Sequence, residues 1–188
     1  MVAEAWVQGG ARILQFRHKT FWSRHVYQQA HAVAQLCRQA GVLFIVNDRA
    51  DFAVLLSAGL HLGQDDLAPA DARKVVGDDT VVGFSTHNEA QLRAAAAEPV
   101  SYVALGPIFA TGSKLNPDPT VGVDGLRAWR HLTERPLVAI GGIVRATAPC
   151  VWQAGADSIG VIGDLYPQEP TPATLRERMV EWQRLAET

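Results

Sequence analysis

The chain has 188 residues, a length that suits one domain (residues 1–188) with a sizeable core. Hydrophobic residues make up 48%, charged residues 19%, and the formal net charge is −2, so the basic excess typical of nucleic-acid or anionic-membrane binding is missing. With no long apolar run, no signal-peptide pattern and two cysteines without C-x-x-C spacing, the sequence indicates a cytoplasmic protein with reduced thiols.

Short β-branched runs alternate along the chain with Ala-, Leu- and Arg-rich stretches. The first ten residues, MVAEAWVQGG, read as the end of a helix stopped by glycine. Seven strands are then predicted, at 12–16, 42–47, 60–63, 80–84, 101–105, 137–141 and 158–162. Seven helices are predicted between and after them, near 22–40, 50–58, 69–77, 88–97, 123–132, 144–154 and 171–186.

This alternation predicts parallel strands covered by helices, in a closed barrel or an open doubly wound sheet. No G-x-G-x-x-G follows the first strand, and polar residues stand at the C-terminal ends of nearly all strands. We therefore predict an α/β fold, a (β/α)8 TIM barrel. Because a helix precedes the first of only seven strands, the barrel is expected to lack its first strand, through a misassigned start, a truncation or a different closure.

Two cations follow the first predicted strand, in Gln15-Phe16-Arg17-His18-Lys19. Alternation places Gln15, Arg17 and Lys19 on one face, the barrel interior near its mouth. Inward-facing cations are costly unless an anion meets them, which predicts an anionic ligand. The alternative is a charged strand end that is simply solvated.

The second and third strands each end near a carboxylate, in Asn47-Asp48-Arg49 and at Asp66. Each could be a helix cap. Taken together on neighbouring strands, Asp48 and Asp66 suit Mg2+ bound with a substrate diphosphate. The six histidines show no H-x-x-x-H or H-E-x-x-H spacing, which disfavours a histidine-based metal site.

After the fourth strand, Ser85 could donate to a phosphate or cap the next helix. No acidic residue is placed by the sequence to make Ser85 and His87 a hydrolytic pair, and there is no G-x-S-x-G elbow. Nucleophilic catalysis is therefore disfavoured.

The stretch GPIFATGSK, residues 106–114, is close to a Walker A loop but differs in its spacing. Five residues separate its glycines, and the hydroxyl residue precedes the lysine. Thr111, Gly112 and Ser113 around Lys114 could still form a phosphate nest. Gly141-Gly142 after the sixth strand permits close approach of a phosphate, and the loops after the last two strands of such barrels are the usual phosphate site.

Six motifs, in order and in register, resemble those of the thiamine phosphate synthase family. The motifs read Q-x-R-x-K, V-N-D-R, H-L-G-Q-D-D, G-x-S-T-H, L-G-P-I-F-x-T-x-S-K and A-I-G-G-I, and the resemblance as a whole covers about Ala3 to about Leu165. The resemblance implies a transferase that joins a hydroxymethylpyrimidine diphosphate to a thiazole phosphate and releases diphosphate, with Mg2+ as cofactor. It also implies small-molecule substrates and a homodimer.

Site roles follow from the same resemblance. The implied substrate-binding residues are Gln15, Phe16, Arg17, His18, Lys19, Asn47, Ser85, Thr111, Gly112, Ser113, Lys114, Gly142, Ile162 and Gly163. The implied catalytic residues are Arg17, Lys19, Ser85 and Lys114, and the implied Mg2+ ligands are Asp48 and Asp66. The pyrimidine diphosphate is assigned to Gln15, Arg17, Lys19, Asn47, Ser85 and Lys114. The thiazole phosphate is assigned to Thr111, Ser113, Gly142 and the backbone near Ile162 and Gly163.

The sequence departs from the family pattern at three of these positions. His18 stands where the family usually has Glu, Ser113 where it has Thr, and Gly163 where it has Ser. Two alternatives stay open at this point. A related thiazole tautomerase has the same fold, but its family carries His where this chain has Pro107; a truncated, non-catalytic phosphate-binding barrel is the other.

Overall fold

The computed structural model of the chain describes residues 2–112 and 118–187. Its strands are β1 (Ile13–Phe16), β2 (Leu43–Asn47), β3 (Gly59–Leu62), β4 (Val82–Thr86), β5 (Tyr102–Leu105), β6 (Leu137–Ile140) and β7 (Ser158–Gly160). Its α-helices are α1 (Val2–Gln8), α2 (Arg24–Ala40), α3 (Ala50–Leu56), α4 (Pro69–Val76), α5 (Glu89–Ala95), α6 (Gly122–Trp129), α7 (Ala148–Gln153) and α8 (Pro172–Ala186). Short 3-10 turns cover Arg130–Leu132 and Gly163–Leu165.

The seven strands form one parallel sheet in the order β1 to β7, each strand paired with the next along the chain. This sequential order, with a helix after nearly every strand, gives a TIM-like fold with seven strands instead of eight. Helix α1 precedes β1 and packs against α8. The predicted barrel class, the strand count and the leading helix are all confirmed, and β1 and β7 are the two edges of the sheet.

Alternation along each strand separates an apolar outer face from a more polar inner face. Leu60 and Leu62 of β3 are fully buried in the layer between sheet and helices, together with Phe44 and Val46 of β2. The residues between them, such as His61, point to the opposite, inner face. Because the strands are parallel, the C-terminal ends of all inner faces meet at one mouth.

Most predicted elements begin or end one to four residues away from the observed bounds, and two of these differences have a clear local cause. Strand β4 extends to Thr86, because Ser85 and Thr86 pair with Ala104 and Leu105 of β5; the predicted end at residue 84 was wrong by two residues. Helix α7 begins only at Ala148, because Pro149 occupies its first turn and the hydroxyl of Thr147 holds a preceding turn at Val144. Neither shift moves a predicted site residue away from the mouth. No helix within the described ranges has the length and apolar character that a membrane crossing requires.

Candidate active site

The loop after β1 brings Lys19 to the end of β2. Lys19 Nζ donates to Asp48 Oδ2. Pairing of Phe16 with Val46 puts these two strand ends side by side, so the contact follows from the sheet register. Gln15 and Arg17 are exposed next to Lys19 in the chain. The sequence predicted an anionic ligand for these cations, and in the structure the anion beside Lys19 is the carboxylate of Asp48.

Two of the residues assigned to this strand end turn away from Lys19. The Phe16 ring packs edge-on against Trp22, with 5.6 Å between centroids, so any contact of Phe16 with substrate would come from its backbone. His18 Nε2 lies 2.9 Å from Thr20 Oγ1 and 3.3 Å from the Phe21 carbonyl oxygen, within its own loop. Their substrate-binding roles stay predictions.

Asp48 has a backbone conformation that is rare for a residue with a side chain. Its φ is 67°, and its N–H donates to the His61 carbonyl oxygen at 2.8 Å, beyond the last residue of β2. Asn47, which is buried, donates its side-chain amide to Asp48 Oδ1. Left-handed non-glycine residues are uncommon and cluster at functional sites. The position of the Asp48 carboxylate is thus fixed by two contacts, the backbone hydrogen bond of Asp48 to His61 and the side-chain amide of Asn47.

Asp66 lies beside Asp48 at the end of β3. Asp66 Oδ2 accepts from the Gly63 N–H at 2.7 Å. The carboxyl group of Asp66 also lies at hydrogen-bonding distance from that of Asp48. Burial raises the pKa of Asp48 above its ordinary value, and the adjacent Asp66 carboxyl raises it further. Lys19 opposes this shift. Two carboxyl groups this close repel each other when both are ionised, unless a cation lies between them.

This donor set fits a hard divalent cation such as Mg2+. Mg2+ is usually held by one or two carboxylates together with substrate phosphate oxygens and water. Over residues 2–112 and 118–187, no group of three or more His, Cys, Asp or Glu side chains is arranged to hold a metal. Asp48 and Asp66 therefore form the candidate cation pair, and they need a ligand's oxygens to complete the coordination.

Ser85 is the end of a partly buried chain of hydrogen bonds that crosses three strands. His61 Nε2 lies 2.8 Å from Ser85 Oγ, and His61 Nδ1 lies 2.8 Å from Tyr102 Oη. Burial lowers the pKa of His61 to about 4, so the ring is neutral near pH 7. Burial also raises the pKa of Tyr102 well above its ordinary value, so the phenol keeps its proton.

The register of the sheet makes this chain possible. His61 and Tyr102 are both Cα partners of Gly83 in β4, on either side of it. Gly83 has no side chain, and a Cβ there would overlap the Tyr102 ring. The ring therefore lies across β4 and reaches His61, which stacks on it at 5.6 Å between centroids. From the sequence, His61 was considered only as one of six histidines without metal-ligand spacing, and Tyr102 was not singled out. The available signal was inner-face alternation on β3, β4 and β5.

An aromatic cluster, also missed from the sequence, supports the loops after β1 and β2. Trp22 and Phe52 stack at 4.3 Å between centroids, and the Arg49 guanidinium lies 4.3 Å from the centre of the Phe52 ring. The carboxylate of Asp51 holds Arg49 from the side. Since Arg49 directly follows Asp48, this packing fixes the backbone that presents the carboxylate.

The loops after β5 and β6 are joined by their backbones. The N–H of Ile108 donates to the Ile140 carbonyl oxygen at 2.8 Å, and that of Phe109 donates to the Gly141 carbonyl oxygen at 3.0 Å. Gly142 has φ 67°, and a Cβ there would lie 2.5 Å from the Ala110 carbonyl oxygen. The two motifs predicted to bind phosphate are therefore one structural unit, with Thr111 and Gly112 following directly after it.

The remaining predicted phosphate contacts lie after β7. Ile162 and Gly163 are exposed, and among the described residues other than its chain neighbours no atom lies within 4 Å of the place where a Cβ of Gly163 would stand. Their turn is anchored by Asp164, whose Oδ2 accepts from Arg145 Nε at 2.9 Å and from Trp182 Nε1 at 3.0 Å. Arg145 follows the Gly141-Gly142 loop, so the ends of β6 and β7 are also connected.

Not every predicted site residue can be located. Ser113 and Lys114 lie outside the described residues. On the far side of that segment, Asp118 Oδ2 is 3.6 Å from His87 Nε2, at the end of β4. Of the described candidates, Lys19, Asn47, Asp48 and Asp66 form one contact network, which the Asp48–His61 backbone bond connects to Ser85.

Comparison with known proteins adds independent information. A family model described as thiamine monophosphate synthase matches residues 1–165. The thiamine-phosphate synthase of Koribacter versatilis (strain Ellin345) is 50% identical over 164 residues, covering 87% of this chain and 77% of that protein. The thiamine-phosphate synthase of Chloroflexus aurantiacus is 41% identical over 177 residues, covering 94% and 82%. The solved thiamine phosphate pyrophosphorylase from Pyrococcus furiosus superposes with a TM-score of 0.86 at 28% identity, covering 99% of this chain and 88% of that one.

Proposed function

The chain belongs to the thiamine monophosphate synthase family and is a transferase of that family, and we propose that it joins a hydroxymethylpyrimidine diphosphate to a thiazole phosphate at the mouth described above. The products are thiamine phosphate and diphosphate. The reaction substitutes the ring nitrogen of the thiazole for the diphosphate on the pyrimidine methylene carbon. One carbon–oxygen bond breaks, one carbon–nitrogen bond forms, and the diphosphate leaves with the bonding electrons.

The observation that carries this proposal is the contact of Lys19, Asp48 and Asp66 at the ends of three neighbouring strands. A cationic side chain beside two adjacent carboxylates suits a ligand with several negative charges, such as a diphosphate, that binds together with a divalent metal ion. We assign Asp48 and Asp66 to Mg2+, and Lys19 with Arg17 to the diphosphate. When bound, Mg2+ would supply positive charge that offsets the charge growing on the departing diphosphate.

The side chains contribute to the reaction by electrostatics and by orientation. Lys19, already held next to the metal carboxylates, offers a fixed positive charge to the leaving group. Asn47 offers a side-chain amide, and Ser85 a hydroxyl group, to bind the pyrimidine. Gln15 lies on the inner face of β1, near the mouth. The aminopyrimidine is electron-rich enough to carry a methylene cation, so the substitution is dissociative and needs no protein nucleophile. Lys114, in the segment 113–117, is assigned to the same leaving group.

The joined loops after β5 and β6 support a second anion site for the thiazole phosphate. Gly142 lets the loop after β6 pass close to the loop after β5, and Thr111 adds a hydroxyl group beside them. Gly112, Ser113 and the backbone of Ile162 and Gly163 complete the assignment. Placing this phosphate after β5 to β7, and the diphosphate after β1 to β4 with Lys114 as its one further contact, brings the two reacting groups together from opposite sides of the mouth.

The test is a product assay on the purified chain. With both substrates and Mg2+, we expect thiamine phosphate and diphosphate to form in equal amounts, and a chelator to stop both. Conversion of one thiazole isomer to another in the absence of Mg2+, without diphosphate release, would contradict this function and support the tautomerase. Binding of both substrates with no product would support a non-catalytic phosphate-binding barrel.

A further inference from the structure

The hydrogen bonds of His61 and Tyr102 determine in which direction Ser85 uses its hydroxyl group. A neutral imidazole carries one proton, on Nδ1 or on Nε2, and accepts at the other nitrogen. In this chain both nitrogens have a hydroxyl partner at 2.8 Å. Which nitrogen carries the proton therefore fixes the role of both hydroxyls.

The Tyr102 hydroxyl decides between the two tautomers. Within the described residues, its Oη has one hydrogen-bond partner, His61 Nδ1. If Nδ1 carried the proton, the phenolic O–H would be left without an acceptor inside the sheet, which costs about 1–3 kcal/mol. If Nδ1 accepts, the phenol donates to it, and the one hydroxyl proton left without a partner in the chain is that of Ser85, at the mouth. The imidazole proton is then on Nε2.

With the proton on Nε2, Ser85 Oγ accepts from His61 and keeps its own proton for another group. We propose that His61, fixed in this tautomer by Tyr102, is a positioning residue that makes Ser85 a hydrogen-bond donor to the substrate. The substrate atom facing Ser85 is then an acceptor, such as a ring nitrogen or a phosphate oxygen, and not an amino group. This inference rests on the proposed function for the identity of the substrate, but the tautomer itself does not depend on it.

Gly83 is an independent part of the same device. It lies between His61 and Tyr102 in the register, and only a residue without a Cβ lets the Tyr102 ring cross β4. Ser85 is two residues further along β4, on the same inner face. A glycine, a histidine, a tyrosine and a serine on three adjacent strands thus form one unit that ends at the mouth.

The first test measures the tautomer directly, by nitrogen-15 NMR of the ring nitrogens at neutral pH. His61 is assigned by the signal missing from His61→Gln. We expect the proton on Nε2 in the wild type, and a loss of that preference in Tyr102→Phe. A proton on Nδ1, or an unchanged tautomer in Tyr102→Phe, would overturn the proposal. Tyr27→Phe is the matched control, because Tyr27 lies on α2 against Phe52, away from this chain of bonds.

The second test is a double-mutant cycle on kcat/KM, since a residue that acts through Ser85 has no effect once Ser85 is gone. Tyr102→Phe should lower kcat/KM by roughly 2- to 10-fold, the range expected for one neutral hydrogen bond. In the Ser85→Ala background the same change should have no further effect. Independent, multiplying losses would overturn the proposal. A wild type without any diphosphate release would contradict the proposed function, and the NMR result would still decide the tautomer.

Discussion

Lys19 is the residue whose charge the proposed chemistry needs most directly. It contacts Asp48 at the mouth, and its side chain is 46% exposed. Lys19→Met should lower kcat by about 10- to 100-fold, because a fixed charge at the leaving group is lost while solvent screens part of the effect. The measurement is steady-state diphosphate release. Lys74→Met is the control, since Lys74 pairs with Asp71 on the outer surface of α4, and an equal loss there would refute a specific role.

His61 gives the protein a definite pH dependence of stability. Its pKa is about 4 in the folded chain against 6.5 in an unfolded one, because burial disfavours the charged ring. The unfolded state therefore binds the proton first as pH falls, and the stabilisation present above pH 6.5 is lost on the way down to about pH 4. The loss attributable to His61 is about 3 kcal/mol. Urea unfolding at several pH values measures it.

A variant without the titrating ring isolates this contribution. Between pH 6.5 and pH 4, the free energy of unfolding of His61→Gln should fall by less than that of the wild type, because only the other titratable groups then contribute to the change. His131→Gln, at an exposed position on the 3-10 turn after α6, should follow the wild-type curve. Parallel curves for His61→Gln and the wild type would show that the ring is not held neutral by burial.

Residue types at strand ends indicated which charged side chains gather at the mouth, and their binding roles stay predictions. Lys19, Asp48 and Asp66 could be found because a charge next to a buried strand is conspicuous in the sequence. His61 and Tyr102 could not be found in this way, because their meeting depends on which residue of β4 lies between them. That register is a property of the whole sheet and is not written in any single strand.

At the scale of elements, the joined loops after β5 and β6 depend on Gly142. Its φ of 67° is left-handed, and a Cβ there would lie 2.5 Å from the Ala110 carbonyl oxygen. In Gly142→Ala the free energy of unfolding should therefore fall by about 1–2 kcal/mol because of left-handed backbone strain. It should fall further because the loop after β5 has to move. Chemical denaturation measures the stability, and thiamine phosphate formation should fall with it.

Gly41 provides the matched control for this substitution. It ends α2 with the same φ of 67°, but no atom lies within 4 Å of its missing Cβ. Gly41→Ala should show the strain cost alone and leave activity unchanged. Equal losses of stability in the two variants would mean that the loops are not held by the close approach at Gly142.

Element bounds were predicted well where local signals are strong and less well where pairing decides. Helix α2 ends at Gly41 and α8 begins at a Thr171 capping box, both of which local residues specify. The end of β4 was misplaced because Ser85 reads as a possible helix cap in isolation. Their pairing with β5 keeps them extended, and the sequence of β4 does not reveal that partner.

At the scale of the whole molecule, the sheet has two edges where a closed barrel has none. Ile13 of β1 is 50% exposed and all of β7 is half-buried, whereas every residue of β3 is buried. Local opening costs least where few apolar contacts and backbone pairs must be lost. Amide hydrogens of β1 and β7 should therefore exchange about tenfold faster or more than those of β3 to β5, as measured by native-state hydrogen exchange. Uniform protection across all seven strands would contradict an open sheet.

The architecture itself was accessible from the sequence because strand and helix patterns alternate without interruption. The count of seven strands and the helix before the first one were both predicted and are both confirmed. The assembly of the mouth follows from this parallel order, since it gathers the C-terminal ends of all strands. Positions within the mouth required coordinates, because side chains from five strands contribute to one network.

The central claim is that Asp48 and Asp66 hold the cation that promotes departure of the diphosphate. The Mg2+ dependence of diphosphate release tests this claim most directly. The comparison is between wild type, Asp66→Asn and Asp65→Asn, the last a neighbouring exposed carboxylate outside the proposed site. We expect Asp66→Asn to require about tenfold or more Mg2+ for half-maximal rate, and Asp65→Asn to follow the wild type. An Asp66→Asn curve that coincides with the wild-type curve would contradict the account.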